Sequence, residues 1–556
     1  MYDKIIKDAD NMLNGYYVFD GIWDMEPCEE PVNNKNIRWD IKYNNDKEWS
    51  YEFTRMDYLY KLVIAYEQTN DKKYINHGFI IINKWYKNNK KYLYKRVGKI
   101  NNRLFKNLGH RSLDISIMIS NILDYISYSK ENNFITENEY NKYKNRILKI
   151  IDYIIPQADS NHKSFSNWGI IENGNILYCL NKLGIRNEDV ESRLLRQINN
   201  QIEYNGSHIE SSPMYLVQIL LVLLKNINSN CYIKDELINT VEKSLEYIIS
   251  IRDLNNNIPN IGDSDLTNIS DLMLMAASIL RDDTYLKYIN KEVSSEYLFK
   301  YKKKYKINDL KSKEELIEYK NQTIYKNKEL YLLCSNIPRR VDGHKHYDYM
   351  SVLYSDFGKD ILVDLGRYTY KNDKDRELLK GPRGHNVISI DNKYYNYVDS
   401  WITSEKITPQ ENKVDALTIK MKTIFGYDIT ITRYVTYLKE YGLIISDIID
   451  DKENNTYNTY FNIGPSFDIE EDNGIRIVDK NDYLIYHNDI KDNVNINSVK
   501  YSKRYNQFEV TKQLEIKTNS KNITHYFFKT GDLIKIKYEK DCIKYTIKNK
   551  TIIVEK

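Results

Sequence analysis

Between residues 51 and about 300 the chain repeats one hydrophobic rhythm. The segments "YEFTRMDYLYKLVIAYEQT", "LDISIMISNILDYISYS", "YNKYKNRILKIIDYII", "PMYLVQILLVLLKNI", "LINTVEKSLEYIISI" and "ISDLMLMAASIL" place apolar residues three and four positions apart. That spacing gathers them on one face of an α-helix, and the short Asn-, Asp- and Gly-containing turns between them predict antiparallel helical hairpins. No fixed-period repeat recurs, which argues against a consensus solenoid; helix pairs stacked around a ring fit the pattern. From about residue 322 the apolar spacing drops toward two, in "ELYLLCS", "MSVLYSDFGKDILVDLG", "HNVISID" and "ALTIKMKTIFGYDITITRYVTYLKEYGLIISDII". Alternation broken by hairpin turns predicts antiparallel strands. The charged segment "YKINDLKSKEELIEYKNQ" (305–322) has no strong apolar face and is where the textures meet. The predicted organisation is a helical domain over residues 1–320 and an antiparallel β-sandwich over residues 321–556.

Three polar clusters interrupt these patterns. In "DGHKHYDYMSVLYSDFGKDILVDLG" (342–366), His344, His346 and Asp348 alternate, so a strand through all three would present them on one face. Asp364 ends the returning strand and "GPRGHNVISID" adds His385. Two imidazoles and a carboxylate suit a tetrahedral Zn²⁺ site; a hydrogen-bonded polar rim of the sandwich is the plainer reading. In "YNGSHIESSPMYLVQILL" (204–221), Pro213 opens an apolar helix and puts Tyr215 near its N-terminus. There the positive end of the macrodipole favours a phenolate, although one Tyr among 51 is more often structural. In "SNHKSFSNWGIIENGNILYCL" (160–180), Ser166 or Asn167 can cap the helix that follows, and an Asn amide can also donate to a carboxylate.

Composition narrows the partners. Lys plus Arg is 82 against 78 for Asp plus Glu, so a net charge of +4 creates no global field that demands nucleic acid or membrane. The basic runs at 87–96 and 300–306 read as solvated helix ends and linkers. Five dispersed cysteines without a CxxC pair point to buried thiols rather than a disulfide framework. The longest apolar run, 214–224, is too short to span a bilayer, and the first residues lack a signal-peptide core. The chain as given is therefore expected in the cytoplasm, or secreted if a leader has been removed.

Taken in order, "HRSL" with "DISIMISN", "NWGIIE", "GSHIESSPMY", and then "GHKHYDYMSVLYSDFGKDILVDLGRYTY" with "HNVISID" resemble the heparinase II/III-like polysaccharide lyases. The resemblance covers most of the chain. It implies an α+β multidomain protein, an N-terminal incomplete (α/α) toroid followed by a C-terminal antiparallel β-sandwich. It also implies β-elimination on uronic-acid-containing glycans, leaving 4,5-unsaturated uronate ends. By the same resemblance His344 is the catalytic-site histidine and Tyr215 the catalytic tyrosine. The substrate carboxylate is neutralised by Asn167, with Asn161 as the competing position. His346, Asp364 and His385 would hold a structural divalent metal, zinc being the expected ion, with no organic cofactor. Leu216 stands where the family often has His, which leaves one substrate contact in question.

An anionic polysaccharide or oligosaccharide asks for basic and aromatic groups, for which His208, Arg111, Arg367, Tyr368 and Arg376 are candidates. Whether Tyr215 both removes and returns a proton, or His344 acts as base, depends on the sugar face and stays open. The alternative to a lyase is a glycan-binding or polysaccharide-assembly protein on the same frame. A hydrolase would ask for a flanking pair of acidic residues that the sequence does not offer. Oligomeric state is not legible, a homodimer being the form to test.

Overall fold

The helical periodicity becomes a ring of inner and outer helices. The structure, a computed structural model, describes the chain except residues 1, 45, 94–110, 311–313, 339–342, 392–396, 408–415, 426–428, 472–474, 480–481, 489–493, 530–531 and 549. Helices run as α1 (Asp3–Leu13), α2 (Glu48–Arg55), α3 (Leu59–Thr69), α4 (Lys73–Leu93), α5 (Ser112–Glu131), α6 (Glu137–Ile154), α7 (Asn167–Lys182), α8 (Glu188–Gln201), α9 (Pro213–Ile227), α10 (Lys234–Ile251), α11 (Ser270–Ile279) and α12 (Ser295–Tyr301). Among the described residues none of these is long and apolar enough to cross a membrane.

Inner and outer positions follow from how much of each helix is apolar. α6 buries one stripe, Tyr143, Ile147, Ile150, Ile151 and Ile154, and starts with a capping box between Thr136 and Glu139. α7 is buried from Gly169 to Asn181, and α9 nearly throughout. α7 packs between α5 and α9, while α6 and α8 pack against α5 and α7. Gly169, in the first turn of α7, is required by close approach: a Cβ there would collide with the Lys163 carbonyl.

The chain divides into two compact units. One comprises Met1–Ile249, Asn255–Ile258 and Thr267–Leu310; the other comprises Ser250–Leu254, Pro259–Leu266 and residues from 311 onward. The second unit thus takes two short segments from within the helical half of the sequence.

In that second unit a five-stranded antiparallel meander comprises Glu315–Tyr319, Gln322–Lys326, Tyr331–Ser335, Ser351–Asp356 and Lys359–Leu362. An eight-stranded sheet is built on Tyr397–Ile407, Ala416–Phe425, Ile429–Leu438 and Gly442–Asp451, continued by Asn522–Phe528. A four-stranded sheet includes Ile388–Ile390, Tyr457–Asn462 and Glu509–Thr518, and a three-stranded sheet ends the chain. Leu332, Val352 and Tyr354 share one core with Ile419, Ile431, Ile445, Phe461, Leu514 and Phe527, which makes the unit a sandwich.

The strands Gln322–Lys326, Tyr331–Ser335 and Ser351–Asp356 are buried along their whole length. Within the core, Arg433 and Asp447 are cross-strand partners joined by two hydrogen bonds of 2.7 and 2.8 Å. Arg433 also donates to the carbonyls of Met350 and Asn386, each at 3.0 Å, and so holds the two loops that carry the histidines.

Candidate active site

In the helical unit the polar residues gather at the first turns of α7 and α9. Ser166 caps α7 with its hydroxyl on the Trp168 N–H, leaving Asn167 as the first helical residue. The Glu210 carboxylate accepts both the Asn167 backbone N–H (3.1 Å) and its side-chain N–H (2.6 Å). An anion there also meets the positive end of α7. Asn167 is fully buried, and its Oδ1 has no hydrogen-bond partner. Ser211 takes a left-handed φ of 55°, turning the chain so that Ser212 precedes Pro213 and Tyr215 falls in the first turn of α9, 5% exposed. Beside α7, Lys163 donates to Glu172 at 2.6 and 2.7 Å and to Ser112 at 2.8 Å. Burial raises the Glu172 carboxyl despite that ammonium.

In the sheet unit the hub is Asp263, from the inserted Pro259–Leu266 segment. His344 donates to it from Nδ1 (2.9 Å), His346 from Nε2 (2.8 Å), and Arg376 from both terminal nitrogens (2.6 and 2.9 Å). Burial would raise the Asp263 carboxyl; Arg376 and the two histidines outweigh it and hold it well below the usual carboxylate range. His346 is fully buried, whereas the His344 side chain keeps 18% of its surface exposed. The rings of His344 and Tyr370 lie 6.4 Å apart, and Arg376 sits 5.0 Å over the Tyr370 ring.

The strand expected through His344, His346 and Asp348 is not formed. All three lie in an irregular lead-in, and the strand begins at Ser351, after Met350 has taken a φ of 55°. The two histidines are brought together by Asp263, with Arg433 holding the Met350 carbonyl, not by pleating. Asp348 forms a buried ion pair with Lys345.

Among the described residues no group of three or more His, Cys, Asp or Glu converges as a metal-binding set. Two ring nitrogens nevertheless fit an ion. His346 Nδ1 and His385 Nε2 are buried without hydrogen-bond partners, and the two rings lie 5.3 Å apart. Each ring is backed through its other nitrogen by a carboxylate, His346 by Asp263 and His385 by Asp364 at 2.7 Å, the usual way of orienting a ligating imidazole. Burial pushes the His346 pKa down to about 4 and so keeps that ring neutral. For His385 burial also disfavours the charged ring, but Asp364 more than offsets it and the pKa is raised. Asp364 stands behind His385 and accepts the Gly366 N–H through Oδ1, so it is placed as a support of the ligand rather than beside the two bare nitrogens.

Two expected substrate contacts need correcting. Arg367 is fully buried, paired through Nε and NH2 with Asp265 at 2.7 and 2.9 Å, and its other terminal nitrogen donates to Tyr370; a sugar has no access to it. His208, 4% exposed, is a strut: Nε2 meets Gln201 at 3.0 Å and Nδ1 accepts the Glu210 N–H at 3.3 Å. Arg111 is held by Asp114 at 2.8 and 3.0 Å and stacks 3.6 Å over Tyr51. Tyr368 packs with Leu365, Leu379 and Val499 under Lys500. Asn161 opens a short 3-10 turn, and its side chain lies outside the described residues. Sequence reasoning missed Glu210, Asp263, Asp265 and the Lys163–Glu172 pair. The "GDSD" string at 262–265, two carboxylates in four residues ahead of the "ISDLMLMAASIL" run, is the signal that could have pointed to two of them.

A toroid of helix pairs followed by an antiparallel sandwich is the architecture of one class of polysaccharide lyases. The profile "Heparinase II/III N-terminus" matches residues 7–288, and "Heparinase II/III-like, C-terminal" matches residues 319–545. The chain belongs to the heparinase II/III-like family and is a polysaccharide lyase. A solved structure of heparinase III is 15% identical with a TM-score of 0.76, covering 99% of this chain and 90% of that one. Heparan sulfate lyase HepC from Pedobacter heparinus is 16% identical with a TM-score of 0.62, covering 100% and 89%. A second heparinase III, the BT4657 gene product, is 15% identical with a TM-score of 0.67, covering 100% and 90%. No curated protein sequence matches the chain.

Proposed function

We propose that the chain cleaves uronic-acid-containing glycans, with a glycosaminoglycan of the heparan sulfate type as the first substrate to test, by β-elimination. The C5 proton beside the uronate carboxylate is removed, the electrons form the C4–C5 double bond, and the O4-linked sugar leaves with a proton. The observation that carries this reading is the Asp263–His344 pair: a buried carboxylate at 2.9 Å fixes the tautomer and direction of the partly exposed histidine of the family's HxHxD run. A base oriented by a second group is what proton transfer at carbon requires.

Asn167 supplies its second side-chain N–H to the substrate carboxylate as charge builds on its oxygens, and Glu210 holds that amide in place through the other. One preorganised donor of this kind contributes about 3 to 4 kcal/mol to the transition state. Tyr215 serves as base and acid when proton and leaving group share a sugar face; His344 is the base when they do not. A divalent metal, if bound, would be held by His346 Nδ1 and His385 Nε2 and would lock the loops that carry them. Asp263, shared by His346 and His344, then connects that locked loop to the reacting histidine.

The test is mass analysis of the products from heparan sulfate and other uronate polymers. Elimination gives fragments one water lighter than hydrolysis, with unsaturated ends. Fragments of hydrolytic mass would refute the proposal.

A further inference from the structure

A second chamber lies at the opposite end of the helices whose first turns carry Asn167 and Tyr215. It occupies about 610 Å³ at the C-terminal ends of α5, α7 and α9, within the helical unit. At a rise of about 1.5 Å per residue, Lys225 on its wall is about 15 Å along α9 from Tyr215. A smaller cavity of about 200 Å³ shares Asp57, Asn121, Lys225, Glu296, Lys300 and Tyr301 with it, so the chamber continues inward. The larger space lies within the roughly 300–1,000 Å³ typical of small-molecule sites.

Its lining combines tyrosine rings with ammonium groups. Lys225 stands 4.5 Å over the Tyr178 ring, and Lys300 stands 5.4 Å over Tyr60 and 5.8 Å over Tyr301. The acidic groups on the wall are largely engaged. Asp124 takes ion pairs from Lys182 (2.7 Å) and Lys225 (2.8 Å) and the Tyr178 hydroxyl; Glu67 accepts from Tyr128, and Asp57 from Asn121. Glu296 also lines the wall, and its carboxyl, like that of Asp57, is raised by burial. Lys300 and Lys302 make no direct ion pair among the described residues and rest on rings, although the Lys300 charge opposes the effect of burial on Glu296 and Asp57 from farther off. Ammonium groups over aromatic faces, with no carboxylate in direct contact, can take an anion, and the same faces suit the C–H side of a sugar ring.

We propose that this chamber is a second binding site, for a short anionic sugar of one or two rings, recognised by Lys300 and Lys302 through its carboxylate or sulfate and by Tyr60 and Tyr301 through its ring. The inference uses only the chamber and does not depend on the catalytic assignments.

Calorimetric titration of the full chain with a synthetic 4,5-unsaturated uronate disaccharide, sulfated and unsulfated, tests it, with maltose as the neutral control. A saturable site is expected whose affinity falls by about tenfold or more in Lys300→Ala/Lys302→Ala and in Tyr60→Ala, and stays within about twofold in Tyr215→Phe and Asn167→Ala. Maltose should give no saturable heat. The lysine substitutions are on the surface of the chamber and should leave thermal unfolding unchanged, which separates lost binding from lost fold. Three outcomes would overturn the proposal: no saturable binding of either acidic disaccharide, equal binding of maltose, or affinity that responds to Tyr215 and Asn167 but not to the lysine pair. Because the probes are made chemically, none of these depends on whether the chain turns over a polymer.

Discussion

The two polar clusters are built in opposite ways. In the helical unit Glu210 and Tyr215 lie close together in the chain, Asn167 comes 43 residues before Glu210, and two helix N-termini place them. In the sheet unit His344, His346 and Arg376 converge on Asp263, more than eighty residues earlier in sequence than either histidine. The first cluster is supported by parts, each helix start placing its own residue; the second hangs on one buried carboxylate. Loss of a part should therefore be chemical in the first and structural as well as chemical in the second.

The sharpest break in this contrast concerns turnover. Tyr215→Phe removes one hydroxyl and keeps the ring, and is expected to lower kcat by about 10² to 10⁴ with the fold retained in thermal unfolding. His344→Ala should lose a similar amount. If both serve one step, the double variant is hardly worse than the worse single one, as steady-state kinetics on all four proteins would show.

Asp263→Asn comes next. It leaves the Arg376 guanidinium without its buried partner and should cost about 3 to 5 kcal/mol in urea unfolding in addition to activity. An Asp263→Asn protein as stable as wild type would remove the hub from the account. Glu210→Gln is the matched change in the helical unit. It keeps the shape and loses the charge at the α7 N-terminus, so a loss of only about 1 kcal/mol is expected.

Metal content sharpens the comparison further. His346→Ala and His385→Ala should each abolish stoichiometric divalent metal measured by elemental analysis, whereas Asp364→Asn, which keeps a group behind His385, should weaken binding by about 10- to 100-fold. Equal metal in the wild type and both histidine variants would contradict the assignment.

A smaller effect marks the sandwich core itself. Burial pushes His525 from 6.5 down to about 3, so between those values the unfolded chain takes up a proton that the folded chain does not. Stability is therefore lost as pH falls below 6.5. From about pH 7 to about pH 5 the advantage of wild type over His525→Asn should shrink by about 2 kcal/mol, read from urea unfolding at each pH.

The contrast also explains what the sequence could reveal. Pro213, Ser166 and the apolar runs behind them mark helix starts, and a helix start fixes where the next residues point, so Asn167 and Tyr215 were readable from local pattern. The HxHxD alternation was readable as a cluster but misread as a strand. Met350 turns the chain with a positive φ, and long-range hydrogen bonds accepted by Asp263 and donated by Arg433 do the aligning that a pleat would have done. Arg367 was misjudged for a related reason: nothing near it in sequence announces Asp265, which draws its guanidinium inside. Partners far apart in the chain leave no periodic trace. The ring of helices and the sandwich do leave one, because every turn and every second residue repeats it.

The most direct test of the central claim is the short-wavelength ultraviolet absorbance of the conjugated double bond during incubation with heparan sulfate and other uronate polymers. The account predicts a steady rise with the wild-type chain on at least one polymer and essentially none with Tyr215→Phe. New reducing ends without that rise, or an equal rise with Tyr215→Phe, would contradict it.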